Sequence, residues 1–421
     1  MNSDMQTVEI LVLVIFILTY LLIAVNKTPW FEIKRSYVAL IGGALMLVVG
    51  ALTLDQARDS IDFKVIFLLL GMMCVVAGLE YTGFFNLLSN IMMRHSSPGP
   101  KLLLSVMFLS AFTSAIALND AVVLMFTPIV IRCCHNLKVN PIPYLIGLMI
   151  SANIGSIATA VGNPQNAFIA SYSGMAFAEF SKYSIPIAVV CLILSYSMLV
   201  LMFRGSLSHR KYTDVKIEDE SNIDKVRLTA MILLVIVTFI GFMLTGIYDF
   251  ELYQVALAAG AVSLVIVMTS SPKDAVYVAK RVDWHILLFF AGLFVLIGGA
   301  FNSGLITDFT KDLGLFTDGT PDPLGLSVFT VILSNLVSNV PAVMLTAQMF
   351  SSADTMTWIV LAASSTLAGN MTLLGSAANI IVAERSERYG IRVDFARHML
   401  IGTIITIATV AVMLLCVELL F

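Results

Sequence analysis

Four long apolar stretches of this chain are interrupted at their centres by polar residues. Asn119-Asp120 interrupts 101–134, and Gly162-Asn163-Pro164-Gln165-Asn166 interrupts 142–172. Ser338-Asn339-Val340-Pro341 interrupts 324–351, and Gly375-Ser376-Ala377-Ala378-Asn379 interrupts 357–383. Only 12% of the 421 residues are charged, against about 25% in soluble domains, so apolar runs of this length read as bilayer segments. Irregular backbone at bilayer depth is tolerated only where protein buries it or a watery cavity receives it. The four breaks must therefore meet inside the molecule.

Uninterrupted runs of the roughly 20 residues needed to cross a bilayer lie near 9–25, 37–53, 64–80, 184–203, 228–246, 251–269, 284–301 and 398–420. With the broken spans 142–172 and 357–383 they make about ten. Segments 101–134 and 324–351 read as re-entrant hairpins, two half-helices meeting at a polar tip. The expected fold class is an all-α polytopic membrane protein with broken helices at the midplane.

Charge tests this topology. With the N-terminus outside and each hairpin returning to the side it entered from, only Arg58, Lys64, Lys182 and Lys311 fall outside. The other twenty of 24 Lys and Arg, among them Lys34, Arg35, Lys280, Arg281 and Arg385, fall inside. That bias fits the positive-inside rule, with both termini outside and an inner cell membrane as the expected location. The acidic start MNSDMQTVE reads as leading into a retained span, not a cleaved signal peptide. A polar segment, 205–226, reads as a cytoplasmic linker.

The halves on either side of that linker, 1–204 and 227–421, repeat. IDFKVIFLLLG at 61 resembles VDWHILLFFAG at 282, placing Asp62 and Asp283 221 positions apart. Asn119 and Asn339 are 220 apart. SANIGSIATAVGNPQN (151–166) aligns with SSTLAGNMTLLGSAAN (364–379) at an offset of 213, matching Ser151/Ser364, Thr159/Thr372, Gly162/Gly375 and Asn166/Asn379. Five spans and one hairpin per half make the second half enter the membrane from the opposite side. Inverted repeats are the architecture of secondary transporters, whose sites lie where broken helices converge.

Half-helix N-termini there expose free N–H groups that attract anions, and C-termini expose carbonyls that attract cations. Asp120 is the one carboxylate well inside an apolar segment; burial favours its neutral form and a half-helix N-terminus its anion, so it suits a proton or Na⁺. Asn119 and Asp120 also suit a simple helix cap. Asn339 and Ser338 form the second tip, where Val340 stands in place of Asp120, and Pro341 suits the first turn of the next half-helix. Gly162 and Pro164 allow close approach and a kink; Asn163, Gln165 and Asn166 offer uncharged donors and acceptors for a substrate, as do Gly375, Ser376 and Asn379. Na⁺ is a candidate at Asn119, Asp120, Gly162, Asn339 and Gly375. Asn153, Ser156, Thr159, Asn370 and Thr372 either face the cavity or pack helix on helix. Glu80, Asp62, Asp283, His285, Glu384 and Arg385 sit at span ends and read as interfacial anchors, and no embedded Arg or Lys is expected to clamp an anion.

Other classes fare worse. There is no basic patch for nucleic acid, no HExxH, no GxSxG elbow and no embedded His–nucleophile pair, so an enzyme is not expected. The five cysteines show no CxxC; Cys133-Cys134-His135 is either a soft-metal set or a coincidence at a helix end. No cofactor beyond a coupling H⁺ or Na⁺ is expected.

ALNDAVVLMFTPIVI (117–131), ANIGSIATAVGNPQN (152–166), LSNLVSNVPAVML (333–345) and LAGNMTLLGSAANIIVAE (367–384) together resemble the ion transporter superfamily over nearly the whole chain. The resemblance is to its arsenite-efflux and plant silicon-efflux branch, with Na⁺/H⁺ antiporters and divalent anion–sodium symporters as relatives. It implies a scaffold, a mobile transport domain, a homodimer and elevator-type alternating access. The dicarboxylate branch carries Ser-Asn-Thr at both tips. Leu118-Asn119-Asp120 and Ser338-Asn339-Val340 here point instead to secondary active export by antiport, coupled to H⁺ or alternatively to Na⁺, of a small inorganic oxyanion or weak acid such as arsenite or silicic acid. Na⁺/H⁺ antiport, and cation-coupled import of dicarboxylate, phosphate or sulfate, remain the alternatives.

Overall fold

The computed structural model describes residues 2–24, 34–95, 97–207, 224–269, 271–305, 321–350 and 353–421. The central 208–223 of the expected linker, with Arg210, Lys211 and Lys216, lies outside the described residues, as do Lys27 and Lys311 of the charge assignment. The described residues form nineteen α-helices and one 3₁₀ turn, Pro272–Asp274, and no strand.

The first half runs through α1 (Asn2–Ala24), α2 (Arg35–Val48), α3 (Leu54–Ser60), α4 (Phe63–Tyr81), α5 (Phe84–His95), α6 (Pro100–Ile116), α7 (Asn119–Asn136), α8 (Ile142–Ser156), α9 (Pro164–Ser173) and α10 (Phe177–Met202). The second runs through α11 (Lys225–Leu244), α12 (Leu252–Met268), α13 (Ala275–Arg281), α14 (Trp284–Asn302), α15 (Pro323–Val337), α16 (Asn339–Ala347), α17 (Thr355–Ala368), α18 (Ala377–Glu387) and α19 (Phe395–Leu420). Element for element, α1–α4 recur as α11–α14 and α6–α10 as α15–α19. The short helices α3, α5 and α13 were absent from the sequence reading; at seven to twelve residues they are too short for an apolar run to reveal them.

Local chemistry sets the helix ends. Asp62 caps α4 by accepting from Lys64 N at 2.9 Å and Val65 N at 3.2 Å. Asp283 caps α14 in the same way, from His285 N at 3.0 Å and Ile286 N at 3.2 Å. Such caps satisfy N–H groups that the first helical turn leaves unpaired. Asp224 caps α11 outside the spans, and the N–H of Arg227 draws its carboxyl below the usual carboxylate range.

Packing repeats with the elements. α4 lies along α12 and α14 along α2, the same contact with the halves exchanged. Gly71 and Gly292, 221 apart, make both contacts close. A Cβ on Gly71 would come within 2.3 Å of Ala256 O, and one on Gly292 within 2.5 Å of the Ala39 carbonyl carbon. α6 packs on α8 and α15 on α17, while α10 meets α19. Small residues let membrane helices approach in this way, since lipid tails give no hydrophobic drive for helices to associate.

Five of these helices, α4, α10, α11, α14 and α19, are long and apolar enough to cross a membrane. The expected ten spans include broken and shorter ones. α8 is buried throughout from Pro143 to Ser156, and α17 from Thr357 to Ala368. They form the centre of the molecule, whereas α11 buries only four residues and leaves the rest turned outward. The all-helical, polytopic fold class therefore holds, with both hairpins (α6–α7, α15–α16) and both broken spans (α8–α9, α17–α18) in place.

Candidate functional site

The breaks are stapled from within by asparagine. After α8 ends, Asn166 Nδ2 donates back to Ser156 O at 3.0 Å and Thr159 O at 3.1 Å. After α17 ends, Asn379 Nδ2 donates to Gly369 O at 2.7 Å and Thr372 O at 3.0 Å. Both pairs of carbonyls are 213 apart, so the two staples are one device used twice. An unsatisfied buried carbonyl costs about 1–3 kcal/mol, and a broken helix creates several.

Asn153 ties the halves together. Its Nδ2 donates to Asn370 Oδ1 at 2.9 Å and Asn379 Oδ1 at 3.2 Å. Its Oδ1 accepts from Asn119 Nδ2 at 3.2 Å and Ser376 Oγ at 3.0 Å, which uses every hydrogen-bonding position of the amide. Thr366, 213 residues on, is its counterpart. It accepts at 3.2 Å from both Asn163 Nδ2 and Gln165 Nε2. Extending the alignment that matched Ser151 with Ser364 would have found it. Asn163 Oδ1 also caps α9 through Asn166 N at 2.8 Å.

Each hairpin tip is fastened to the break of its own half. Asn119 N donates to Gly162 O at 3.0 Å. Oriented to satisfy its neighbours, the Asn339 amide donates to Gly375 O and Ser365 O, each at 3.1 Å. Thr159 Oγ1 donates to Ala115 O at 2.6 Å, and Thr372 Oγ1 to Asn335 Oδ1 at 3.2 Å.

These ties aim four half-helix N-termini at one cavity of about 510 Å³. Its wall carries Asn119 and Asp120 at the start of α7, Pro164 and Gln165 at the start of α9, Ser338 and Asn339 at the start of α16, and Ser376 and Ala377 at the start of α18. A second lobe of about 490 Å³ continues past Asp120, Pro164 and Asp283 toward Glu80, Lys280 and Arg281. Four positive dipole ends favour negative charge, each by about 0.3–1 kcal/mol at an exposed terminus.

The sequence reading thus divides in two. Asn119, Asp120, Pro164, Gln165, Ser338, Asn339 and Ser376 face the cavity. Gly162, Asn163, Asn166, Asn153, Thr159, Thr372, Gly375 and Asn379 do not line it; their hydrogen-bond donors are spent on carbonyls, hydroxyls and amides just behind the wall. A helix that breaks inside protein must re-satisfy its own backbone before it can offer anything to a ligand.

The span-end charges are the main correction. Arg35, Asp283, His285 and Glu384 line the same cavity, with Lys34 at its mouth. Arg35 attracts the Asp120 carboxylate and Asp283 repels it. An embedded cation is therefore present after all. Nothing in residue order marks it, because Arg35 opens an apolar run and looks like any interfacial anchor. Lys34 Nζ contacts His285 Nε2 at 2.7 Å, and Ser36 Oγ contacts Nδ1 at 3.2 Å. An ammonium only donates, so in this contact Nε2 is the acceptor. Cys133 and Cys134 are buried free thiols in α7, and among the described residues no group of three His, Cys, Asp or Glu is placed to hold a metal.

An uncharacterised transporter of Mycobacterium tuberculosis is 28% identical, over 96% of each chain. A silicon efflux transporter of Oryza sativa subsp. japonica is 28% identical, over 93% of this chain and 94% of its own. The crystal structure of the Alcanivorax borkumensis YdaH transporter covers 99% of this chain and 97% of its own, with a TM-score of 0.53 at 17% identity, a likeness of fold. The citrate transporter family matches residues 13–366. With converging broken helices around one cavity and a family match over most of its length, the chain belongs to the citrate transporter family of membrane transporters.

Proposed function

We propose that the chain is a proton-coupled secondary transporter exporting a small inorganic oxyanion or weak acid, of which arsenite and silicic acid are examples. One observation carries this reading: four half-helix N-termini and Arg35 surround a cavity whose wall holds Asp120, the one carboxylate in the first turn of a half-helix, with Asp283 and Glu384 beside it. The N-termini and Arg35 attract oxygen-rich, electron-rich solutes. Asp120 is the coupling group: ionised, it accepts hydrogen bonds from a hydroxylated solute, and protonation weakens that acceptance, so proton and solute bind in alternation, as antiport requires. Related proteins named for silicon efflux in rice, and as a putative transporter arsB in Dictyostelium discoideum, support the solute class.

A second reading is import of a carboxylate anion such as citrate. Arg35 favours it, because guanidinium pairs bidentately with carboxylate. Na⁺/H⁺ antiport would use Asp120 with Asn119 and Asn339 as sodium ligands. The deciding experiment is flux in inverted membrane vesicles under an imposed pH gradient, with arsenite, silicate, citrate, phosphate or Na⁺ offered in turn. Proton flux driven by Na⁺ alone would displace the metalloid reading.

The same reading takes α6–α9 with α15–α18 as the mobile unit of an elevator and α1–α4 with α11–α14 as its scaffold, in a homodimer. It places both termini outside an inner cell membrane and 205–226 in the cytoplasm, so the cavity mouth beside Lys34, Lys280 and Arg385 faces the cytoplasm. The charge bias supports that orientation.

A further inference from the structure

The internal repeat displays one latch in two positions. In the first half, Asp62 caps α4 with Oδ1, and its Oδ2 accepts from Ser171 Oγ of α9 at 2.8 Å. α9 packs directly on α4 there. The 221-residue offset carries Asp62 to Asp283, which caps α14 through Oδ1 in the same manner. The 213-residue offset carries Ser171 to Glu384 on α18. In this half the latch is open: Asp283 and Glu384 both line the cavity, and α18 has no packing on α14 to match that of α9 on α4.

Alternating access moves one unit against another around a fixed site. In a repeated chain the second state follows when the halves exchange conformations, so that α18 comes to rest on α14 as α9 now rests on α4. Glu384 then stands to Asp283 as Ser171 stands to Asp62. The exchange of hydroxyl for carboxyl matters there. Serine brings its own proton to the bond, but an ionised carboxylate only accepts. Two carboxylates at that separation cannot both be ionised.

We propose that Asp283 and Glu384 form a second proton-binding site, distinct from Asp120. Closing the mouth captures one proton as a carboxyl–carboxylate hydrogen bond between them, and opening returns it to the solution the mouth faces. The other charged groups around the pair are Lys34 and Arg35 on α2, Glu80 on α4, Asp120 on α7, Lys280 and Arg281 on α13, His285 on α14, and Arg385, Glu387 and Arg388 on or just after the helix of Glu384 itself. Lys34 is engaged by His285 at 2.7 Å, Arg35 lies in the field of Asp120 and Arg281 holds Glu80 at 2.7 Å; the closing pair takes up a proton because two carboxylates brought to hydrogen-bonding distance cannot both stay ionised. The site rests on the transporter reading, and it makes the opening and closing of an empty carrier sensitive to pH.

Pulsed electron resonance on the full chain in lipid nanodiscs tests this. Spin labels are carried on unnatural residues at the exposed positions Val276 in α13 and Arg388 after α18, and distances are read at pH 8 and pH 5 without solute. The wild-type chain is expected to gain a shorter-distance population at pH 5. Glu384→Ser, which restores the pair found in the first half, and Glu384→Gln are each expected to show that population at both pH values. An equal pH response in all three chains overturns the proton site and leaves transport standing. Variants that never shorten, beside a wild type that does, also overturn it, since Glu384 would then be closing on a cation. A distance that is fixed in every chain, with or without a solute gradient, removes alternating access and the site with it.

Discussion

At the first hairpin tip the backbone is relaxed and the charge is concentrated. Leu118 has φ −55° and ψ 126°, and Asp120 follows within the first turn of α7. At the second tip the arrangement is reversed: Ser338 is held at φ 79° and ψ 158°, while Val340 occupies the place of the carboxylate. Only glycine adopts such a conformation freely, and it costs another residue about 1–3 kcal/mol. Yet both tips put an asparagine at the start of a half-helix, and both are fastened to the glycine carbonyl of the adjacent break. Duplication has kept the framework, where each part satisfies another's backbone. It has let the ionisable group survive at one tip only, where Asp283 and Glu384 already add negative charge to the same cavity.

The largest effect expected is that of Asp120→Asn, which keeps the shape and removes the charge. pH-driven uptake into inverted vesicles should fall to background; if uptake persists, the contrast between the tips has nothing to do with coupling. Moving the carboxylate with Asp120→Val and Val340→Asp together should not restore transport, because Arg35 faces the first tip. Recovered flux in that double variant would mean that the tips are interchangeable. Arg35→Gln removes charge-assisted bonds of about 1.5–3 kcal/mol, so the KM for an ionised solute should rise about tenfold or more, and Arg35→Lys should recover part of it. An unaltered KM would return Arg35 to the role of an anchor.

Asn379→Ala and Asn166→Ala each expose a matched pair of carbonyls. Both should lower the thermal stability of the purified protein by similar amounts, about 1–3 kcal/mol for each carbonyl left bare. Unequal losses would show that the two breaks are not equivalent frameworks. The smallest expected change is a gain: Ser338→Gly should relieve about 1 kcal/mol of backbone strain and raise the melting temperature with little change in flux. A destabilised glycine variant would show that the Ser338 hydroxyl does more for the tip than its backbone costs.

The helix breaks were legible because Gly, Pro and Asn inside an apolar run contradict their surroundings, and the repeat was legible because those contradictions recur at nearly constant offsets. Hence the all-helical fold, the hairpins and the placement of Asn119, Asp120, Asn339 and Gln165 at one wall could be read from residue order alone. What residue order leaves open is where a side chain points after the helix has stopped. Asn166 and Asn379 look like ligand groups in one dimension, but their amide N–H groups are consumed by carbonyls seven and ten residues earlier. Arg35, Asp283, His285 and Glu384 look like boundary charges, but the packing of α2 on α14 and the break before α18 set all four on the wall of one cavity.

The sequence by itself determined that this chain lives in a membrane, is built twice and breaks its helices at four polar points, because the cost of polar groups in hydrocarbon is a local, additive property. Tertiary structure alone decided which polar groups are left over for a ligand. Hydrogen bonds between distant segments use up donors and acceptors pair by pair, and only the folded geometry says which remain.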